Sequence, residues 1–181
     1  RFNLCPSREE TYQLYGDLIG EMIPLFTSDV FDLGVDEVGQ PYNGSRWVAD
    51  ANCAGKEPAR LFAQYVNRLA DDVAKNGKIP LINSTALVKE HGGNFHNIYR
   101  SVSMIRNDII INNWSEGAAR KRNWLKRLTN FKSSTYFKKY GFDKMIHMTG
   151  YSRRWQDRPE LRESRGETDC FGAVVTHYRY M

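Results

Sequence analysis

The 181 residues are 41% hydrophobic and 13% aromatic, enough for one domain with a sizeable core and too apolar for a disordered chain. No apolar run reaches the length that crosses a bilayer, and the chain opens on Arg1 without an initiator Met or signal peptide, which reads as a processed protein or an excised piece. The net charge of +5 suggests nucleic acid, but no zinc-finger spacing or RNA-binding aromatic motif accompanies it.

Pro6-Ser7-Arg8-Glu9-Glu10 reads as a helix start, with Ser7 as the cap and Glu10 reaching back three residues later. The helix is expected to run to about Phe26. Leu14, Leu18, Ile19, Met22, Leu25 and Phe26 recur at helical spacing and read as its core stripe.

Thr27-Ser28-Asp29 leads into Val30-Phe31-Asp32-Leu33-Gly34-Val35-Asp36-Glu37-Val38, which has the content of a buried parallel strand and ends at the turn Gly39-Gln40-Pro41. Side chains alternate along a strand, so Asp32, Gly34 and Asp36 share one face while Leu33, Val35 and Glu37 share the other. Two acids on one face of a buried strand are costly unless that face meets a cavity, a substrate or hydrogen-bonding partners. The adjacent acids Asp36 and Glu37 fall at the strand's C-terminal end, where α/β enzymes keep their active sites. The plain alternative is a solvated acidic loop.

After a polar loop, Pro58 stands where a first-turn proline belongs, and Leu61, Phe62, Tyr65, Val66, Leu69 and Val73 follow at helical spacing to a left-handed cap at Gly77. Lys78 to Asn83 reads as a strand weakened by Pro80, which has no N–H for a ladder. A Gly92-Gly93 loop, a weak helix around Ile98 to Ile105 and the strand Asp108 to Trp114 come next.

Helical spacing then returns from about Ala118 to Tyr140, with a break near Asn130 and Gly141 as terminator. Trp124, Leu125, Leu128, Phe131 and Phe137 form its apolar stripe, so the basic run Arg120 to Lys139 reads as a solvated helix face. Lys144 to Thr149 is a further strand. An arginine-rich loop from Tyr151 to Thr168 leads to a last one, Phe171 to Thr176.

Cys5, Cys53 and Cys170 are odd in number and widely spaced, without a CxxC pair or Cys/His cluster, which argues against structural zinc. One disulfide plus a free thiol stays open. His91, His96, His147 and His177 are scattered and read as polar loop residues, and no Gly-rich phosphate loop follows any strand. No metal or cofactor is implied.

Strands alternating with helices are the rhythm of βα units, so the fold class is α/β with a parallel sheet. Five strands are too few for a closed eight-stranded barrel of about 250 residues, and an open doubly wound sheet is the formal alternative.

Leu4-Cys5-Pro6-Ser7 with Thr11-Tyr12, the helix carrying Glu21 and Leu25-Phe26, and Asp32-Leu33-Gly34-Val35-Asp36-Glu37-Val38 together resemble glycoside hydrolase family 20, the β-N-acetylhexosaminidases, best over residues 1–39. Looser likenesses follow at Gly77-Lys78, Trp114 and Tyr151. The resemblance implies that residues 1–181 are a single domain or fragment, the second part of a TIM (β/α)8 barrel from the helix before strand four through strand eight. It also implies a carbohydrate substrate containing N-acetylhexosamine, with neither nucleic acid nor membrane as partner, and a secreted, periplasmic or lysosome-like location.

The mechanism implied by the resemblance is retaining and substrate-assisted, an exception to the two-carboxylate scheme. Glu37 is the general acid on the glycosidic oxygen, and the substrate's own 2-acetamido carbonyl attacks the anomeric carbon. Asp36 orients the acetamido group, Tyr151 hydrogen-bonds its oxygen, Trp114 offers an apolar face to a sugar ring, and Asp32 borders the substrate. Trp114 has core packing as its equal alternative.

Asp32 stands where the family commonly has His, Val35 where it has Gly, and Leu81-Ile82-Asn83-Ser84 where it has a Trp-x-Asp pattern. Tyr178-Arg179-Tyr180 replaces Trp-x-Glu, and Ser152-Arg153 removes an acidic companion of Tyr151. These departures motivate the alternative of a non-catalytic or divergent carbohydrate-binding barrel.

Overall fold

A computed structural model describes residues 4–36, 52–89, 93–113, 133–150 and 170–176. The elements of regular structure within them are α1 (Glu9–Met22), β1 (Val30–Asp32), α2 (Pro58–Lys75), β2 (Ile79–Asn83), β3 (Ile110–Asn113), α3 (Ser133–Lys139), β4 (Met145–Gly150) and β5 (Cys170–Thr176), with short 3₁₀ segments between some of them. All five strands are parallel and lie in the sheet in chain order, β1-β2-β3-β4-β5. A doubly wound sheet reverses its order at a switch point, and these strands never do. A parallel sheet wound in one direction is the arrangement of consecutive barrel strands, so the order removes the doubly wound alternative for this stretch of chain.

One core lies between the sheet and its helices. Phe31, Leu33 and Val35 from the first strand segment, Ile82 from β2, Ile109 and Ile111 around β3 and Met145 from β4 pack with Leu61, Phe62, Val66, Leu69 and Val73 of α2 and Phe137 of α3. The α2 stripe is the one expected from spacing, because its apolar residues fall on one side of a helix that Pro58 starts and Gly77 ends at φ +74°. Gly141 likewise ends α3 in the left-handed region, at φ +85°. Lys138 and Lys139 are exposed on α3, as a solvated face requires, while the rest of the basic run through Lys132 lies outside the described residues.

Three expectations need correction. The helix start is not a capping box: α1 begins at Glu9, its cap Arg8 makes no side-chain bond, and Ser7 Oγ instead receives Lys56 Nζ at 3.0 Å. The turn before α1 is held by side chains reaching back, Thr11 Oγ1 to the Cys5 carbonyl at 2.7 Å and the Tyr12 hydroxyl to the Pro6 carbonyl at 2.6 Å. The helix is also shorter than expected, because Pro24 converts its end to a 3₁₀ turn, Ile23–Leu25.

Second, most of the α1 stripe is not core. Ile19 is buried, together with Tyr12 and Ile23, whereas Leu14, Leu18, Met22 and Phe26 are exposed and Leu25 is 77% exposed. Apolar residues therefore ring much of α1, and among the described residues the covered side faces α2 and, through Tyr15, the first strand. Arg68 fixes that side, pairing with both carboxylate oxygens of Glu9 at 2.6 and 2.9 Å and lying 3.5 Å over the Tyr12 ring.

Third, the segment before β3 is a 3₁₀ helix, Phe95–Ser103, kinked where His96 and Asn97 adopt φ of 51° and 57°. Asn is among the few residues that enter the left-handed region at modest cost, and an α-helix cannot continue through it.

Pro80 is tolerated although β2 is flanked on both sides. Ile79 N and Asn83 N donate towards β1, to Asp29 O at 2.7 Å and Val35 O at 3.3 Å, so the odd residues serve that edge. The missing N–H of Pro80 faces the other edge, where the β2–β3 register opens only at Leu81 opposite Ile110.

Candidate active site

The first strand is regular only over Val30–Asp32, yet its chain stays paired with β2. Leu33 N donates to Leu81 O at 3.0 Å, and Asn83 N donates to Val35 O at 3.3 Å. Gly34 interrupts the pleat at φ +66°, where an L side chain is strained. Two bonds fix this irregularity. Gly34 N donates to Asp32 Oδ1 at 2.9 Å, and the Tyr15 hydroxyl of α1 donates to the Leu33 carbonyl. Alternation survives the glycine: Phe31, Leu33 and Val35 are buried, and Asp32, Gly34 and Asp36 are exposed.

The helices cover the face of Phe31, Leu33 and Val35, so Asp32 and Asp36 lie on the opposite face. Register extends that face across the sheet. Asp32 aligns with Leu81 and Ile110, and one layer nearer the strands' C-terminal ends Asn83 aligns with Asn112 and Ile146. A carboxylate and two carboxamides thus gather at the C-terminal ends of three neighbouring strands, β1, β2 and β3.

The two amides are held differently. Asn83 Oδ1 accepts from Thr85 N at 3.3 Å and Thr85 Oγ1 at 2.7 Å, which anchors the turn leaving β2. Ser84 N donates to the Asn112 carbonyl at 3.0 Å and ties that turn to β3. The Asn112 side chain is 5% exposed, and its Oδ1 has no hydrogen-bond partner among the described residues. A buried acceptor without a partner costs about 1–3 kcal/mol, so its retention calls for a role.

Tyr15 titrates far from the ordinary phenol value. Burial pushes its phenol up, and the Asp32 carboxylate adds to the effect, to about 12. It therefore stays a neutral donor to Leu33 throughout the physiological range.

Of the residues picked out from sequence, Asp32 and Asp36 are brought to one exposed face at the end of one strand. Asp32 also works locally, as acceptor for the Gly34 turn. Glu37, Trp114 and Tyr151 lie outside the described residues. Asn112 and Tyr15 were missed, and Asn83 was read only as a departure. The signal for the amides was present, since a carboxamide closing an apolar β-branched run, as in Ile110-Ile111-Asn112, marks where a strand stops packing and starts facing something polar. Among the described residues no group of three His, Cys, Asp or Glu side chains is placed to hold a metal, and no helix is long and apolar enough to cross a membrane.

A parallel sheet wound in one direction, with polar side chains gathered at the C-terminal ends of its strands, is the arrangement of (β/α)8 enzymes. The family model described as glycosyl hydrolase family 20, catalytic domain, matches residues 1–157, and the chain belongs to that family of TIM-barrel glycoside hydrolases. No curated protein matches the chain.

Proposed function

We propose that residues 1–181 form, as a single unit, the part of the barrel from the helix before strand four through strand eight, with β1 to β5 as those five strands. The exposed stripe of α1 supports this reading. Leu14, Leu18, Met22, Leu25 and Phe26 are exposed, β1 pairs with β2 alone among the described residues, and a preceding βα unit would bury both the stripe and that edge.

The proposed reaction is retaining hydrolysis of terminal N-acetyl-β-hexosaminides, assisted by the substrate's 2-acetamido group. The observation that carries it is the position of Asp36, exposed at the end of the first strand on the face away from the helices and one residue before Glu37. Glu37 protonates the glycosidic oxygen as the aglycone leaves. Asp36 holds the acetamido group against the anomeric carbon and balances the positive charge that develops on its nitrogen. Tyr151 donates to the acetamido oxygen, Trp114 lies against the sugar ring, and Asp32 borders the same site.

The test is a pair of substrates given to the full-length protein, an aryl N-acetyl-β-glucosaminide and the aryl β-glucoside that lacks the acetamido group. Turnover confined to the first is expected. Equal rates on both would overturn assistance by the substrate, and binding of the first without turnover would establish a non-catalytic carbohydrate-binding barrel instead.

A further inference from the structure

Cys5 and Cys53 are 48 residues apart in sequence, and their Sγ atoms are 3.3 Å apart, with both side chains present as thiols. We propose that this pair is an oxidation site that closes to a disulfide, joining the entry to α1 to the turn before α2, and that Cys170 takes no part in it.

The backbones of both cysteines are already fixed for the bond. The Cys5 carbonyl accepts Arg8 N at 3.2 Å and Thr11 Oγ1 at 2.7 Å, and the Cys53 carbonyl accepts Lys56 N at 3.1 Å. Ser7 and Lys56 brace the same spot from outside, with Lys56 Nζ 3.0 Å and Cys53 Sγ 3.6 Å from Ser7 Oγ. A disulfide has its sulfurs about 2.05 Å apart, a small closure from the present 3.3 Å.

Exposure sets the order of events. Cys5 is half-buried and Cys53 is 1% exposed, so a small oxidant reaches Cys5 first. In exchange with a low-molecular-weight disulfide, the Cys5 thiolate attacks one sulfur of the oxidant, forming a mixed disulfide and releasing one small thiolate. The Cys53 thiolate then attacks the Cys5 sulfur and releases the second. Two protein thiols lose two electrons and two protons, the small disulfide gains the electrons, and the protons end on its two thiols.

The closed bridge makes a covalent ring of residues 5–53, which contains α1, β1, the Gly34 turn and Asp36. It shortens the excursions open to the unfolded chain, and it fixes where the segment after Asp36 must return to the fold.

The experiment treats the full-length protein with glutathione disulfide, blocks free thiols with iodoacetamide under denaturing non-reducing conditions, and maps the peptides by mass. A linked pair containing Cys5 and Cys53, two hydrogens lighter than the sum, with Cys170 alkylated, is the expected result. Alkylation of both Cys5 and Cys53, or a link from either to Cys170, would overturn the proposal. The oxidised protein is also expected to melt about 5–15 °C above the reduced one. In the Cys5→Ser, Cys53→Ser double variant that difference disappears, and a difference that persisted there would count against the bridge.

Discussion

The Tyr15 hydroxyl of α1 donates to the carbonyl of Leu33, the residue just before the left-handed Gly34 and three before Asp36. The bond crosses from helix to strand end, and Leu33 beside it is 1% exposed, so no water competes for that carbonyl. Tyr15→Phe leaves the carbonyl unsatisfied while keeping the ring. The expected cost is about 1 kcal/mol, read as a fall of about 2–4 °C in melting temperature.

Gly34→Ala tests the turn itself. Among the described residues an added Cβ meets only the Tyr15 hydroxyl, at 3.9 Å, an ordinary contact, so the loss expected is that of backbone strain at φ +66°. A loss of about 1–2 kcal/mol in urea unfolding is expected for Ala, and a smaller one for Asn, which tolerates this conformation better.

The same tyrosine gives the protein an alkaline signature. Its phenol is raised from 10.0 to about 12 by burial and then by Asp32, so the fold favours the neutral form. That stabilisation is complete below pH 10.0 and is lost as pH rises through about 12. The stability gap between wild type and Tyr15→Phe should therefore close over this interval in pH-resolved melting. On the acid side the sign reverses. The Arg106 guanidinium holds the Asp108 carboxyl below its usual 3.8, so its contribution is present above that pH and fades below it. The Asp108 side chain is more than half exposed, and Asp108→Asn should remove no more than about 1 kcal/mol.

Asn112 and Asn83 should respond oppositely to loss of their amides. Asn83 Oδ1 serves two donors of Thr85, and Asn83→Ala is expected to cost about 1–3 kcal/mol. Asn112 Oδ1 serves none among the described residues, so Asn112→Leu, of similar shape, should leave the melting temperature unchanged or raise it. A large loss in Asn112→Leu would show that its amide is structural.

Periodicity made the α2 stripe, the five strand positions and the alternation of Asp32 and Asp36 legible, because each follows from which side chains share a face. What escaped depends on partners distant in sequence. The exposed residues of the α1 stripe have the spacing of core residues, and which of them are covered depends on α2 and the first strand packing against the helix. Pro80 weakened the strand reading of Lys78 to Asn83, and register shows why it is tolerated, because its missing donor precedes the pairing with β3. Asn112 required knowing that β2 brings Asn83 beside it, a contact no local pattern encodes. The cysteines left one disulfide and a free thiol open, and the 3.3 Å separation of Cys5 and Cys53 is what motivates the pairing proposed.

The most direct measurement is hydrolysis of an aryl N-acetyl-β-glucosaminide by the full-length protein beside its Glu37→Gln variant. Loss of a general acid removes about 10²–10⁴-fold in rate, and a fall of that size with folding intact is expected. Undiminished turnover in Glu37→Gln would contradict the role assigned to the acid that follows Asp36.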